Sequence, residues 1–223
     1  MIEAIKTTAE EPRYREFCWQ CRRPKDLCLC PSEPPMPTRT RIVLLMHPME
    51  WKHEKCNTGR LTCLNLANSE IIPGLGFDDN PRYRALVDDP ANYPVLLYPG
   101  KTAYDLSTGE FPAAELGSRQ LVVFLIDSTW ACAKAILRES PGLLKLPCVK
   151  FTPTVLSRYM IKRQPAPHCV STIEATHELL LALERSGLDR YPDKNRLLAS
   201  FLAMRDYQLE RIKTDYQPRR KKT

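Results

Sequence analysis

Leu121-Val122-Val123-Phe124-Leu125-Ile126-Asp127-Ser128-Thr129-Trp130 is the stretch on which the fold turns. Its unbroken apolar run, closed by turn chemistry, reads as a strand buried on both faces, the form taken by interior strands of a parallel sheet. Ala131 to Leu137 follows with a helix-like pattern, so the unit is strand, tight turn, helix. In open α/β sheets ligands sit beyond the carboxyl ends of such strands, which puts Asp127 at the edge of a crevice. An Asp or Ser after a strand also serves as an ordinary helix cap, and this stretch alone does not separate the two roles.

Outward from it, Arg41 to His47, Val95 to Tyr98 and Cys148 to Phe151 read as further strands. Asn57-Thr58-Gly59 opens a helix through Leu66, and Pro73 to Asn92 holds Pro, Gly, Asp and Asn at a density typical of loops. The C-terminal third is helical. Ser171-Thr172-Ile173-Glu174 has the form of a capping box, with Ile173, Leu180 and Leu183 at helical spacing up to Gly187. Asp193 caps a last helix to about Ile212, and there is no internal repeat.

A chain of 223 residues can bury one substantial core, so one α/β domain with a small appendage is expected. No stretch approaches the roughly 20 apolar residues of a membrane span, and Met1-Ile2-Glu3-Ala4-Ile5-Lys6 lacks the apolar core of a secretory signal. A reducing, cytoplasmic setting is therefore expected. The formal charge of +7, with Arg219-Arg220-Lys221-Lys222 near the end, is the electrostatic footprint of a phosphate-rich partner, nucleic acid before membrane surface.

Four of the nine cysteines fall between positions 18 and 30, which suits metal binding better than a disulfide framework. Cys18-Trp19-Gln20-Cys21 is a knuckle, and Cys28-Leu29-Cys30 completes four thiolates able to close a tetrahedral site around structural Zn2+; an iron centre with the same ligands, or reactive thiols, are the alternatives. Arg22, Arg23 and Lys25 lie between the two ligand pairs, so a metal would hold basic groups on a rigid knuckle. Residues 1–37 thus form an N-terminal segment with a zinc module and a proline-rich linker, 38–215 the main domain and 216–223 a basic tail.

In order along the chain stand Cys18-x-x-Cys21 with Arg23-Pro24 and Cys28-Leu29-Cys30; His47-Pro48-x-Glu50; Asn57-Thr58-Gly59-Arg60-Leu61; Tyr98-Pro99-Gly100; Asp127-Ser128-Thr129-Trp130; and Ser171-Thr172-x-Glu174-Ala175. Together these resemble the DTW-domain family of tRNA-uridine aminocarboxypropyltransferases, which is related to the SPOUT RNA-modifying enzymes. The resemblance implies a SPOUT-like α/β fold: a mostly parallel sheet, helices on both faces and a C-terminal trefoil knot, a topology that general connection rules exclude.

It also implies an activity: transfer of the 3-amino-3-carboxypropyl group of S-adenosylmethionine to N3 of a tRNA uridine, leaving methylthioadenosine. Asp127 is then the group that helps remove the N3 proton, a task suited to a carboxylate whose pKa partial burial raises toward neutrality. Thr129 and Trp130 shape the same pocket, the indole offering a stacking face. The cofactor loops are Leu97, Tyr98, Pro99 and Gly100; Ile126 and Ser128; and Ser171 and Thr172. Ser128 stands where the family more commonly has glycine or alanine. Arg60, Arg158, Lys162 and Arg163 are candidate RNA contacts. His47 reads more simply as a histidine satisfied by backbone partners. The rival functions are a methyltransferase of the same superfold, since one sulfonium offers both groups, and a non-enzymatic zinc-bearing RNA-binding protein. Which uridine is modified is not written in the chain, and no obligate protein partner is evident.

Overall fold

The structure, a computed structural model, describes residues 16–53, 57–100, 102–154, 157–158 and 169–215. Six strands form one sheet in the order β2-β1-β5-β3-β6-β4, and every pairing is parallel. They are β1 (Arg41–Met46), β2 (Ser69–Pro73), β3 (Asn92–Leu97), β4 (Tyr104–Asp105), β5 (Gln120–Asp127) and β6 (Cys148–Lys150). The helices are α1 (Pro48–His53), α2 (Thr58–Asn65), α3 (Pro81–Val87), α4 (Ala113–Leu116), α5 (Trp130–Glu139), α6 (Thr172–Arg185) and α7 (Arg196–Asp215).

Alternation along the central strands builds two cores, one on each face. Ile42 and Leu44 of β1 join Leu121, Val123 and Leu125 of β5 against α2, α6 and α7. Val43, Leu45, Val122 and Phe124 point the other way, against Tyr83 and Leu86 of α3 and Ile136 of α5. A strand sandwiched in this way needs apolar residues at every position, which is why the β5 run is continuous. Ile173, Leu179, Leu180 and Leu183 make α6 the most deeply buried helix, each at 1% exposure or less and each worth about 1.5–3 kcal/mol of transfer free energy.

Three departures from the sequence reading have local causes. The stretch from Pro73 to Asn92 is not all loop: Pro81–Val87 is helical because Asn80 accepts from the N–H groups of Arg82 and Tyr83, and Pro81 occupies the first turn, where its missing N–H costs nothing. Strand β3 begins before Val95 and runs through Pro94. It tolerates the proline because the edge that Pro94 shares with Leu96 meets β6 only from Leu96 onward. The proline-rich linker does not run free: Met36, 2% exposed, bridges to Leu66, and Arg196 donates to the carbonyls of Glu33 and Pro34.

Chain connectivity fixes where a ligand can sit. From β1 the chain leaves through α1 and α2 toward β2 on one side, whereas from β5 it leaves through α5 toward β6 on the other. Adjacent strands whose connections diverge open a crevice at their carboxyl ends. The chain between β6 and α6, through which a knot would thread, lies largely outside the described residues, as do Lys162, Arg163 and the tail from 216. Among the described residues no helix is long and apolar enough to cross a membrane.

Candidate active site

Asp127 is the last residue of β5 and is 5% exposed. Its backbone carbonyl accepts from His47 N–H at 3.1 Å, tying it to the end of β1. Its Oδ2 accepts from Asn57 Nδ2 at 3.1 Å and its Oδ1 from Thr172 Oγ1 at 2.5 Å. Donors on both oxygens suit an ionised carboxylate, which can only accept. Asn57 is itself fixed: it is the N-cap of α2, and its Oδ1 accepts from Arg60 N–H at 2.6 Å, which turns its NH2 group toward Asp127. Gly59 completes the nest, since a Cβ there would stand on Asp127 Oδ2 and only 2.7 Å from its Cγ.

Beside this carboxylate opens a cleft of about 310 Å³, within the range of about 300–1,000 Å³ usual for small-molecule sites. The carboxyl ends of β3, β5 and β6 form its floor, and the starts of α5 and α6 form its sides. Leu97, Tyr98, Pro99, Ile126, Ser128, Trp130 and Thr172 all line it. Asp127 stands at its edge, flanked by Ile126 and Ser128 and bonded to Thr172.

Other residues singled out from the sequence fall elsewhere. Thr129 N-caps α5, its hydroxyl accepting from Cys132 N–H at 3.4 Å, and is not among the lining residues. Gly100 and Ser171 are likewise outside the lining, and space beside Gly100 is open. Arg60 is 7% exposed and donates to the Trp51 carbonyl at 3.1 Å; burial lowers its pKa and removes it from the surface where phosphate would bind. Arg158 is exposed, and its backbone N–H donates to Glu174 Oε1 at 2.6 Å. His47 accepts from Met49 N–H at 3.2 Å, a backbone partner.

Reading the sequence missed Asn57 and Gly59 as partners of Asp127, and missed Glu174 and Glu178 as a clamp. Glu174 forms the capping box with Ser171, accepting its N–H at 2.9 Å and also its hydroxyl at 2.6 Å. The same carboxylate accepts from Ser157 Oγ, and Glu178 accepts from Thr154 Oγ1 at 2.8 Å. Two buried acids of α6 thus hold residues 154, 157 and 158, which follow the cleft residue Pro153. A Glu three residues after a cap Ser was the visible signal for the first; nothing in sequence spacing marks the second.

The N-terminal cysteines converge. The Sγ atoms of Cys18, Cys21, Cys28 and Cys30 all lie within 4.8 Å of one another, with Cys18–Cys30 at 3.5 Å and Cys21–Cys28 at 3.6 Å. Tetrahedral Zn–S bonds of about 2.3 Å demand S–S separations of about 3.8 Å, so the donor set fits the ion. Burial pushes the Cys30 thiol up, whereas the Cys21 backbone N–H holds Cys18 down. Arg23 agrees with an anionic centre: it is 7% exposed, its Nη1 has no hydrogen-bond partner among the described residues, and it shares a small space with Cys21 and Arg60. Of the remaining cysteines, Cys169 is buried and Cys63, Cys132 and Cys148 are half-buried.

A fully parallel α/β sheet, a ligand cleft at its carboxyl edge, a hydrogen-bonded aspartate beside that cleft and a four-cysteine module define a ligand-binding protein of the doubly covered α/β class. The DTW domain matches residues 15–209, and the chain belongs to that family. It is 33% identical over 190 residues to tRNA-uridine aminocarboxypropyltransferase 2 of Drosophila melanogaster, covering 82% of this chain and 72% of that protein. The mouse protein of the same name is 29% identical over 182 residues, a match spanning 60% of its length. tRNA-uridine aminocarboxypropyltransferase A of Arabidopsis thaliana is 29% identical over 199 residues, covering 78% of this chain and 74% of that protein. No solved structure matches.

Proposed function

We propose that this chain is an S-adenosylmethionine-dependent tRNA-uridine aminocarboxypropyltransferase, acting on N3 of a uridine. The observation that carries the reading is Asp127, held by two donors at the edge of an apolar-walled cleft, in a chain whose relatives bear that name. Uridine N3 is a poor nucleophile while protonated, and a positioned carboxylate is the base it needs. Asn57 and Thr172 each donate to one Asp127 oxygen and so fix the direction in which the carboxylate faces the cleft edge. Burial of Asp127 among fixed dipoles means that its orientation is set before the substrate arrives.

In the cleft, S-adenosylmethionine supplies the sulfonium-bound methylene carbon: N3 forms a bond to it, the carbon–sulfur bond breaks with its electron pair going to sulfur, and methylthioadenosine leaves. Asp127 takes the N3 proton. Tyr98 and Trp130 offer aromatic faces for an adenine or the target base, Leu97, Ile126 and Ser128 bound the pocket, and the start of α6 at Thr172 directs backbone donors at a polar group. Ser171, the N-cap of α6, and Gly100, next to Pro99, are the chain neighbours of that lining. Zinc on Cys18, Cys21, Cys28 and Cys30 is structural, since four protein ligands leave no open position. A SPOUT-like knotted C-terminal region, a cytoplasmic setting and tRNA contacts from Arg158, Lys162 and Arg163 belong to the same proposal.

Asp127→Asn keeps size and hydrogen bonding but removes basicity. Transfer to tRNA should fall by about 10²- to 10⁴-fold while S-adenosylmethionine affinity stays within a few-fold of wild type. Near-normal transfer by the variant removes Asp127 as the base; loss of cofactor binding makes it a ligand residue instead.

A further inference from the structure

Trp19 is 92% exposed, the most exposed large apolar side chain among the described residues, and its backbone lies in a hydrogen-bonded turn. It sits inside the Cys18–Cys21 turn, closed by Cys18 N–H to the Arg23 carbonyl at 2.7 Å and Arg22 N–H to the Cys18 carbonyl at 2.8 Å. Arg22 has φ of 57°, the one non-glycine residue in the left-handed region among those described. Such a conformation is held where surrounding contacts require it. Here it lays the Arg22 guanidinium on the Trp51 ring at 3.9 Å and lets it donate to the Trp51 carbonyl at 3.3 Å. Arg60 donates to that same carbonyl, and its backbone N–H donates to Asn57, the partner of Asp127. The knuckle is therefore anchored on the carboxyl edge of the sheet, the edge that holds the cleft.

The module's own cations are already partnered or buried, Lys25 and Arg22 at the surface and Arg23 beneath it. Lys25 pairs with Glu16 at 2.7 Å, Arg23 is buried and Arg22 is stacked. The large apolar group that the knuckle presents furthest outward is the indole, next in the chain to the exposed Gln20. An indole face binds a nucleobase by stacking, irrespective of sequence. The target chemistry demands such a base, because uridine N3 is a pairing-edge atom and reacts only when unpaired, so its neighbours in the RNA are also free to splay.

We propose that Trp19 is a stacking platform for an unpaired nucleotide of the tRNA, one that lies outside the reaction cleft and docks the loop carrying the target uridine. This rests on the tRNA reading above. The test is equilibrium binding of an unmodified tRNA transcript, and of an RNA duplex of equal length, to wild type, Trp19→Ala and Trp19→Phe over a salt series. Trp19→Ala should weaken tRNA binding by about 5- to 150-fold, the value of one lost stack, leave the salt slope unchanged because no phosphate contact is lost, and leave duplex binding unaltered. Trp19→Phe should restore most of the affinity, and metal content and thermal midpoint should not move, since the side chain packs against almost nothing.

Affinity of Trp19→Ala within twofold of wild type overturns the inference and leaves the indole to a protein partner. Equal loss for tRNA and duplex overturns it too, because a stack needs an unpaired base. A wild-type chain that transfers nothing to tRNA, yet whose affinity depends on Trp19 in this way, overturns the proposed reaction and leaves the platform standing.

Discussion

Thr172 Oγ1 donates to Asp127 Oδ1 at 2.5 Å, joining the first residue of α6 to the last residue of β5. The contact closes the cleft between two elements that the chain visits 45 residues apart. It makes the entry of α6, and with it the segment that Glu174 and Glu178 tie down, a determinant of how the carboxylate points.

Thr172→Val keeps the shape of the side chain and removes the donor. A hydrogen bond to a charged group is worth about 1.5–3 kcal/mol, so kcat for transfer should fall about 10- to 100-fold. Steady-state kinetics should show the loss mainly in kcat, because the hydroxyl orients the base. A loss confined to KM would make Thr172 a ligand contact only.

Gly59→Ala sets two effects in opposition. Alanine is the better helix former by about 1 kcal/mol, but its Cβ would fall on Asp127 and 3.1 Å from Leu44 Cδ1. The carboxylate must move. Thermal melting should show no gain in stability, and transfer should drop as steeply as in Asp127→Asn. A stabilised, active variant would mean that Asp127 has room the structure does not give it.

Cys28→Ser removes one of four thiolates. Elemental analysis of protein purified without chelator should find about one zinc per chain in wild type and a small fraction of that in the variant. The Arg22 and Arg60 contacts to Trp51 should loosen with it, read as increased proteolytic cleavage around the knuckle. Wild type free of both zinc and iron would contradict the site.

His177 carries a pH signature in stability. Burial lowers its pKa from the ordinary 6.5, Glu178 and Glu174 oppose that shift, and Arg158 reinforces it; its Nδ1 lies 2.9 Å from the Tyr191 hydroxyl. Between the lowered folded value and 6.5 the unfolded chain binds more protons than the folded one, so stability rises with pH across that window. The contribution is present above about 6.5 and is lost as pH falls through the folded value. Urea midpoints compared at about pH 5 and about pH 7.5 should show this drop in wild type and a smaller one in His177→Gln.

How far the residues alone reveal this site follows from the range of each contact. Asp127 is legible because its signal is local: a continuous apolar run, then a turn. The α6 capping box is legible for the same reason, as are the four cysteines. Asn57 and Gly59 each look like ordinary helix-start residues in sequence. They become partners of Asp127 only because β1 and β5 are neighbours in the sheet, and strand order is a long-range outcome that local periodicity does not encode. Arg60 misleads in the opposite way: a surface helix and a helix packed under a metal module carry arginine alike, and only the fold shows that its head is buried. The α3 helix hides in a stretch dense in turn formers, where Asn80-Pro81 was the available helix-start signal.

The identity of the group transferred is read directly by one assay. Purified chain is incubated with unmodified tRNA and S-adenosylmethionine labelled either on the aminocarboxypropyl carbons or on the methyl carbon, and the nucleosides are resolved by mass spectrometry. Label should enter a uridine from the first cofactor alone, with methylthioadenosine formed in equal amount. Methyl label in the RNA, or methylthioadenosine without a modified uridine, would contradict the account.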